Sequence, residues 1–246
     1  VTLCVGFVPT AASLHVGNLA QLMILAALQQ LGHQVIVLAG GATAMIGDPS
    51  GKGATRKAMS RDAIEANLPH LVEQFGRYLI FDETVHGVPP AILVNNADWL
   101  GQLSHLDFLR EVGQHFSVNT MLAGEPYRSR LDAGGHLSFV EFSYRLLQAY
   151  DFLHLFRAHG CVLQLGGSDQ WGNIVAGIEL IRRVERGLAF GMVSPLITTS
   201  TGSKMGKTEQ GAIWLDAART SPFDFFQFWM NVADDDVARF LRIYTF

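Results

Sequence analysis

Two hydrophobic rhythms alternate along the chain. Val1 to Phe7 is a short, largely apolar run of strand length, Leu19 to Leu31 keeps helical spacing, and Gln34 to Ala39 is a second buried strand. Strand, helix and strand in that order predict a βαβ opening and a parallel sheet, since parallel strands need a crossover and are covered on both faces. Gly40-Gly41 closes the second strand, and Asp48-Pro49-Ser50-Gly51-Lys52-Gly53 has the composition of a loop. Ser60 can cap a helix in which Ile64, Leu68, Leu71, Val72, Phe75 and Leu79 recur at helical period, and Ala91 to Val94 predicts a third strand ending at Asn95-Asn96. A mostly helical insertion follows from about Leu106 to His159. Cys161 to Leu165 then resumes the sheet, Trp171 to Arg186 is helical, Phe190 to Thr198 is the last clear strand, and Asp236 to Tyr244 is helical again. Polar residues gather after Phe7, after Leu38 and after Leu165, at the carboxyl ends of three predicted strands. In open parallel sheets that edge binds ligands.

Composition narrows the class. With 246 residues, 49% of them hydrophobic, the chain can bury a large core as one domain carrying an elaborate insertion. The formal charge of -4, from 18 basic and 22 acidic residues, supplies no global attraction for nucleic acid, so any RNA contact rests on local patches. Cys4 and Cys161 lie in apolar runs without CxxC spacing, which predicts reduced core thiols and a reducing compartment rather than a disulfide or zinc pair. No run approaches the ~18 apolar residues of a membrane span, and no signal peptide opens the chain. Val1 already stands inside a strand and Phe246 directly follows a helical pattern, so chain is expected beyond both ends.

Candidate chemistry begins at His15-Val16-Gly17-Asn18, between the first strand and the first helix. There, backbone N-H groups and the positive end of a helix dipole suit a nucleotide phosphate. A histidine in that place is also an ordinary cap or surface residue, so the tetrad alone decides little. Thr201-Gly202-Ser203-Lys204-Met205-Gly206-Lys207-Thr208 puts two lysines around a glycine in a polar loop. Solvated surface charge is the plain reading of such a loop. Together the two motifs fit a device in which a histidine and lysines share the charge of a triphosphate.

The segments GFVPTAASLHVGN, GGATAMIGDPSGK, HFSVN, EFSYRLLQAYDF, LQLGGSDQWGNI and GSKMGKT occur in this order. So arranged, the chain resembles, over essentially its whole length, the catalytic domain of bacterial-type or mitochondrial tyrosyl-tRNA synthetase, a class I enzyme. The resemblance implies an α/β fold, a Rossmann-like parallel sheet with helices on both faces and the helical insertion at about 106–159. It also implies a C-terminal anticodon-binding domain outside these residues. The implied reaction joins tyrosine to ATP, giving tyrosyl-adenylate and pyrophosphate, and then passes the tyrosyl group to tRNA(Tyr). Catalysis in the first step is chiefly positioning and stabilisation of charge on the leaving pyrophosphate.

By resemblance, Thr10 and His15 hold the γ-phosphate, Lys204 and Lys207 are the lysines of the second signature, and Lys52 and Arg56 are a further pair of cations on the pyrophosphate. Gly17, Asn18, Gly167, Asp169 and Gln170 belong to the ATP site, where Asn18 replaces the second histidine of the commoner HIGH form and can still donate to a ribose oxygen. A bland alternative stands beside this, in which Ser168 or Asp169 merely caps the following helix. The amino-acid site takes Cys4, Thr43, Asp48, Tyr144, Gln148, Asp151 and Gln170. Tyr144, Gln148 and Asp151 have the spacing that puts them on one helix face. Resemblance assigns Tyr144, Gln148 and Asp48 to the substrate ammonium and Asp151 to the phenolic hydroxyl; an exposed helix carboxylate is the alternative for Asp151.

Three residues depart from the family's usual LYCGFDPT. Cys4 replaces a tyrosine that touches the substrate phenol, Val5 a cysteine that reaches the ribose, and Val8 an aspartate near the substrate amino group. These changes keep two alternatives beside the tyrosine enzyme: a paralogue that activates a modified or other aromatic amino acid, and a non-catalytic RNA-binding relative. The implied partners are tyrosine, ATP with magnesium carried on its phosphates, tRNA(Tyr) and a second copy of the chain. Phe116, Phe139 and Phe142 are candidates for the homodimer interface or for the core. No dedicated metal ligands, membrane or DNA are expected, and the compartment is a bacterial cytoplasm or the mitochondrial matrix.

Overall fold

A computed structural model describes residues 1–49, 59–82, 87–124, 127–200, 202, 205, 207–208 and 211–245, with only the backbone of 207–208. Its strands are β1 (Thr2–Phe7), β2 (Gln34–Ala39), β3 (Ile92–Asn95), β4 (Leu163–Gly167), β5 (Phe190–Ser194), β6 (Lys207–Thr208) and β7 (Gly211–Ala212). The helices are α1 (Val16–Gln30), α2 (Gly41–Ala44), α3 (Arg61–Phe75), α4 (Ala97–Leu100), α5 (His105–Glu111), α6 (Val118–Ala123), α7 (Tyr127–Asp132), α8 (Phe139–His159), α9 (Trp171–Glu185), α10 (Pro222–Met230) and α11 (Asp234–Tyr244). Five strands form one sheet in the order β3-β2-β1-β4-β5. β4 runs parallel to both neighbours, with Cys4 opposite Gln164 and Leu163 opposite Phe190. The parallel α/β reading is thereby borne out.

The chain divides into two compact units, one of Val1–Val8, Ile36–Ile64 and Leu93–Ser194, the other of Pro9–Val35, Glu65–Ile92 and Pro195–Phe246. In the first unit α8 and α9 lie against each other at Gly177, where a Cβ would come within 2.9 Å of the Phe152 ring. Only glycine permits that approach. A capping box starts α8: the Glu141 N-H donates to Ser138 Oγ at 3.2 Å while the Ser138 N-H donates to Glu141 Oε2 at 2.9 Å. Cys4 and Cys161 are free and buried, as their apolar surroundings in the sequence predict.

In the second unit Val16, Met205 and Phe240 form a buried cluster flanked by Ile213, Leu215, Trp229 and Tyr244. The predicted cap on α3, at the end of that helix that belongs to the first unit, is present, with the Ala63 N-H donating to Ser60 Oγ at 3.3 Å. Gln74 on the same helix is buried, whereas Val72, counted on its apolar face, is 40% exposed.

Boundaries moved for identifiable reasons. The first helix begins at Val16 rather than Leu19, because His15 and Asn18 build its cap. β3 is displaced by one residue, to Ile92–Asn95. β5 ends at Ser194 rather than Thr198. Its partner β4 ends at Gly167, opposite Ser194, and Pro195 has no N-H with which to extend the ladder. Helix also begins earlier in the insertion than Leu106, with α4 at Ala97 and α5 at His105.

Candidate active site

In the first unit the side chains of interest come from the carboxyl ends of the strands and from α8. Asp151 is only 2% exposed, which removes the reading of an exposed helix carboxylate. Its Oδ1 accepts from Trp99 Nε1 at 2.8 Å and its Oδ2 from Asn96 Nδ2 at 2.9 Å. Asn96 follows β3 directly, and its own Oδ1 accepts the Ala42 N-H at 2.8 Å while its Nδ2 also lies 3.1 Å from Thr43 Oγ1. The asparagine is therefore oriented by backbone and cannot turn without breaking bonds. Trp99 stacks on His154, ring centres 4.2 Å apart, one turn along α8 from Tyr150. Burial outweighs both donors and pushes the Asp151 carboxyl up to about 7. A carboxyl so poised, held by two donors, is suited to one further hydrogen bond from a hydroxyl.

A second cluster joins three elements of the same unit. Gln170 Nε2 donates to Asp48 Oδ2 at 2.8 Å, and Asn173 Nδ2 donates both to Gln170 Oε1 at 3.2 Å and to Gln148 Oε1 at 3.0 Å. Asp48, Gln170, Asn173 and Gln148 thus form one chain of polar groups, and Tyr144 is buried on α8. Cys4, on β1, receives Gln164 Nε2 at 3.9 Å from Sγ. The neighbouring Cys161 thiol first, and then burial, push the Cys4 thiol well above its ordinary range. Gly167 ends β4, and Asp169 is half-buried in the 3₁₀ turn of residues 168–170. The N-cap of α9 is Gln170, without a side-chain cap bond, so neither Ser168 nor Asp169 caps that helix as the bland alternative supposed.

In the second unit His15 is the N-cap of α1, in extended conformation, and its N-H donates to Asn18 Oδ1 at 3.1 Å. Asn18 therefore uses its oxygen on the turn, and its Nδ2 carries the donors. A Cβ at Gly17 would lie 2.8 Å from the His15 ring and 3.3 Å from the Met205 carbonyl oxygen. The turn before α1 is tied to α3: the Leu14 N-H donates to Gln74 Oε1 at 2.8 Å, Gln74 Nε2 donates to Ser13 Oγ at 3.0 Å, and Asn67 Nδ2 donates to the Pro9 carbonyl at 3.0 Å. Thr10, on that turn, is exposed.

The stretch that follows the second motif meets the first motif here through backbone. The Val16 N-H donates to the Ile213 carbonyl at 2.9 Å, the Leu215 N-H to the Leu14 carbonyl at 2.8 Å, and His15 forms an antiparallel bridge with Trp214. Lys207 lies on β6, whose partner β7 leads directly into that bridge. Lys52, Arg56 and Lys204 lie outside the described residues, as does the Lys207 side chain.

Sequence reasoning missed Asn96, Trp99, Asn173 and Trp214. Asn96 carried a usable signal, a polar residue at the carboxyl end of a parallel strand, and Asn173 stands one helical turn after Gln170. Nothing in the sequence singles out Trp99 or Trp214. Among the described residues no group of three or more His, Cys, Asp or Glu side chains could hold a metal ion, and no helix is long and apolar enough to cross a membrane.

A family model for tRNA synthetases class I (W and Y) matches residues 1–246. The tyrosine--tRNA ligase of Syntrophus aciditrophicus is 54% identical over 242 residues, which are 98% of this chain and 55% of that protein. That of Desulfosudis oleivorans is 55% identical over 246 residues, 100% of this chain and 56% of that protein. The chain thus spans little more than half the length of these relatives. Among solved structures, a C-terminally truncated mitochondrial tyrosyl-tRNA synthetase of Aspergillus nidulans superposes with a TM-score of 0.83 at 32% identity, covering 100% of this chain and 72% of that one. The tryptophanyl-tRNA synthetase of Campylobacter jejuni, at 18% identity and a TM-score of 0.64, shares the fold.

Proposed function

We propose, from the premise that this chain belongs to the class I tRNA synthetases of the tryptophan and tyrosine branch, that it is the catalytic part of a tyrosine-tRNA ligase. The observation that carries the choice of tyrosine is the buried Asp151 carboxyl with its two donors, Asn96 and Trp99. A site built to receive a phenolic O-H rejects phenylalanine by about 10⁴ to 10⁵, because phenylalanine leaves the buried carboxyl without that further hydrogen bond. Asp48, Thr43, Tyr144, Gln148 and Gln170 are the groups proposed around the amino acid's ammonium and backbone, and the Asn173 bonds keep two of the amides oriented.

In the proposed reaction a tyrosine carboxylate oxygen attacks the α-phosphorus of ATP, a P-O bond forms to it, and the bond to the leaving pyrophosphate breaks. Thr10 and His15 act as donors to the γ-phosphate, Lys204 and Lys207 with Lys52 and Arg56 neutralise the departing charge, and Gly17, Asn18, Gly167, Asp169 and Gln170 take the rest of the nucleotide. Losing one such donor costs roughly 2 to 4 kcal/mol, mostly in kcat. Magnesium enters on the ATP phosphates, the usual manner for an ion that dehydrates reluctantly. In the second step the 3′ terminus of tRNA(Tyr) attacks the acyl carbon and AMP leaves. A homodimer, with Phe116, Phe139 and Phe142 as candidates for its interface, belongs to the same proposal; Phe139 is 69% exposed. The bacterial and mitochondrial relatives support a bacterial cytoplasm or the mitochondrial matrix.

Amino-acid-dependent ATP-pyrophosphate exchange tests the reading without tRNA. Exchange with tyrosine and not with phenylalanine or tryptophan is the expected result. Exchange only with a ring-substituted tyrosine would transfer the proposal to a specialised paralogue, with Cys4 as the first residue to revert. No exchange with any aromatic amino acid, in folded protein, would overturn it in favour of an RNA-binding role.

A further inference from the structure

The run that contains Lys204 and Lys207 starts from Thr198–Ser200, and helix α11 grips the backbone there. Asp236, in the first turn of α11 and 3% exposed, accepts the Ser200 N-H through Oδ2 at 2.7 Å. Its Oδ1 accepts from Arg239 Nη2 at 2.5 Å, and the same nitrogen donates to the Thr198 carbonyl. One carboxylate and one guanidinium thus hold two points of the segment and each other. The Ser200 N-H is also the first cause that holds the Asp236 carboxyl below the usual carboxylate range.

Two further grips follow in the same unit. The Met205 N-H donates to the Ile197 carbonyl at 2.8 Å, and its side chain is buried in the cluster with Val16 and with Phe240, the residue after Arg239. Beyond β6 and β7, the Ile213 carbonyl takes the Val16 N-H on the His15 turn. The segment is therefore fastened at its entry to α11, at Met205 to the core, and at its exit to the helix start that carries His15. Burying a carboxylate is costly unless it is paired, and the Ser200 N-H and the half-exposed Arg239 supply the partners of Asp236 while fixing the backbone at Thr198 and Ser200. Charge stabilisation at a leaving group depends on that kind of placement, and a displacement of about 1 Å costs on the order of 10²-fold in rate.

We propose that Asp236 and Arg239 are positioning residues for adenylate formation, setting where the segment bearing Lys204 and Lys207 departs. The inference rests on the synthetase reading above. Neither residue is assigned to substrate; both act through the backbone of Thr198 and Ser200.

The test is ATP-pyrophosphate exchange in the full-length protein with D236A, R239M and R239K, alongside equilibrium binding of tyrosine. Arg239 is half-exposed, so R239M decides the matter should D236A fail to fold. In folded D236A and in R239M, kcat falls by at least about tenfold, while the tyrosine KM and the tyrosine Kd stay within about twofold; R239K recovers part of the loss. A kcat loss smaller than that in R239M, or a loss that comes with equally weakened tyrosine binding, overturns the proposal and leaves a merely structural pair. If the unsubstituted protein shows no exchange, the synthetase reading fails, and amide hydrogen exchange then decides whether the grip exists. A Ser200 amide that exchanges at least about tenfold faster in R239M than in the unsubstituted protein supports the grip, and equal rates refute it.

Discussion

Asn96 Nδ2 donates to Asp151 Oδ2 at 2.9 Å across 55 residues of chain, while Asn96 Oδ1 takes the Ala42 N-H. One asparagine thus joins the ends of two strands to the middle of α8. Asn96→Ala removes both bonds and leaves a buried carboxyl and a buried amide short of partners, a loss of roughly 1 to 3 kcal/mol. Thermal melting should record the lower stability, and exchange kinetics a tyrosine KM raised about 5- to 100-fold.

Asp151 also predicts a pH dependence. Burial raises its native pKa from 3.8 to about 7, so between those values the folded protein binds more protons than the unfolded chain. Unfolding free energy therefore falls as pH rises from about 4 to about 7, and this group adds no further slope above that; the whole shift amounts to on the order of 4 kcal/mol. Chemical denaturation of the ligand-free protein at several pH values should show the decline. Asp151→Asn should flatten that window, and it should also weaken discrimination against phenylalanine in the exchange assay.

At Gly17 the constraint is steric. A methyl group there meets the His15 ring at 2.8 Å and the Met205 carbonyl oxygen at 3.3 Å. Gly17→Ala should displace the imidazole and lower the exchange kcat by about 10²-fold with the tyrosine KM unchanged. A variant with unaltered kcat would show that the His15 placement is irrelevant to the reaction.

Asn173 gives a contrasting expectation. It donates to Gln148 and Gln170 without being assigned to substrate. Asn173→Ala removes one donor from each amide, with Gln170 still held by Asp48, so the tyrosine KM should rise about 5- to 30-fold, while the KM for ATP moves less; steady-state exchange with each substrate varied separately measures the split.

What the sequence determined by itself is local. Hydrophobic spacing placed β1, β2, α1 and α9 to within a few residues, because burying one face imposes a period that needs no knowledge of neighbours. Ser60 announced its helix, since a cap is satisfied within a single turn. The spacing of Tyr144, Gln148 and Asp151 put them on one face of α8 for the same reason. Tertiary structure decided what that face meets. The burial of Asp151, and hence its raised pKa, depends on residues that arrive from β3 and α4 through the strand order β3-β2-β1-β4-β5. The backbone bridge from His15 to Trp214 likewise joins positions separated by nearly the whole chain. A carboxyl's charge state and a loop's anchoring depend on whatever atoms occupy the space around them, and periodicity along one segment carries no information about those atoms.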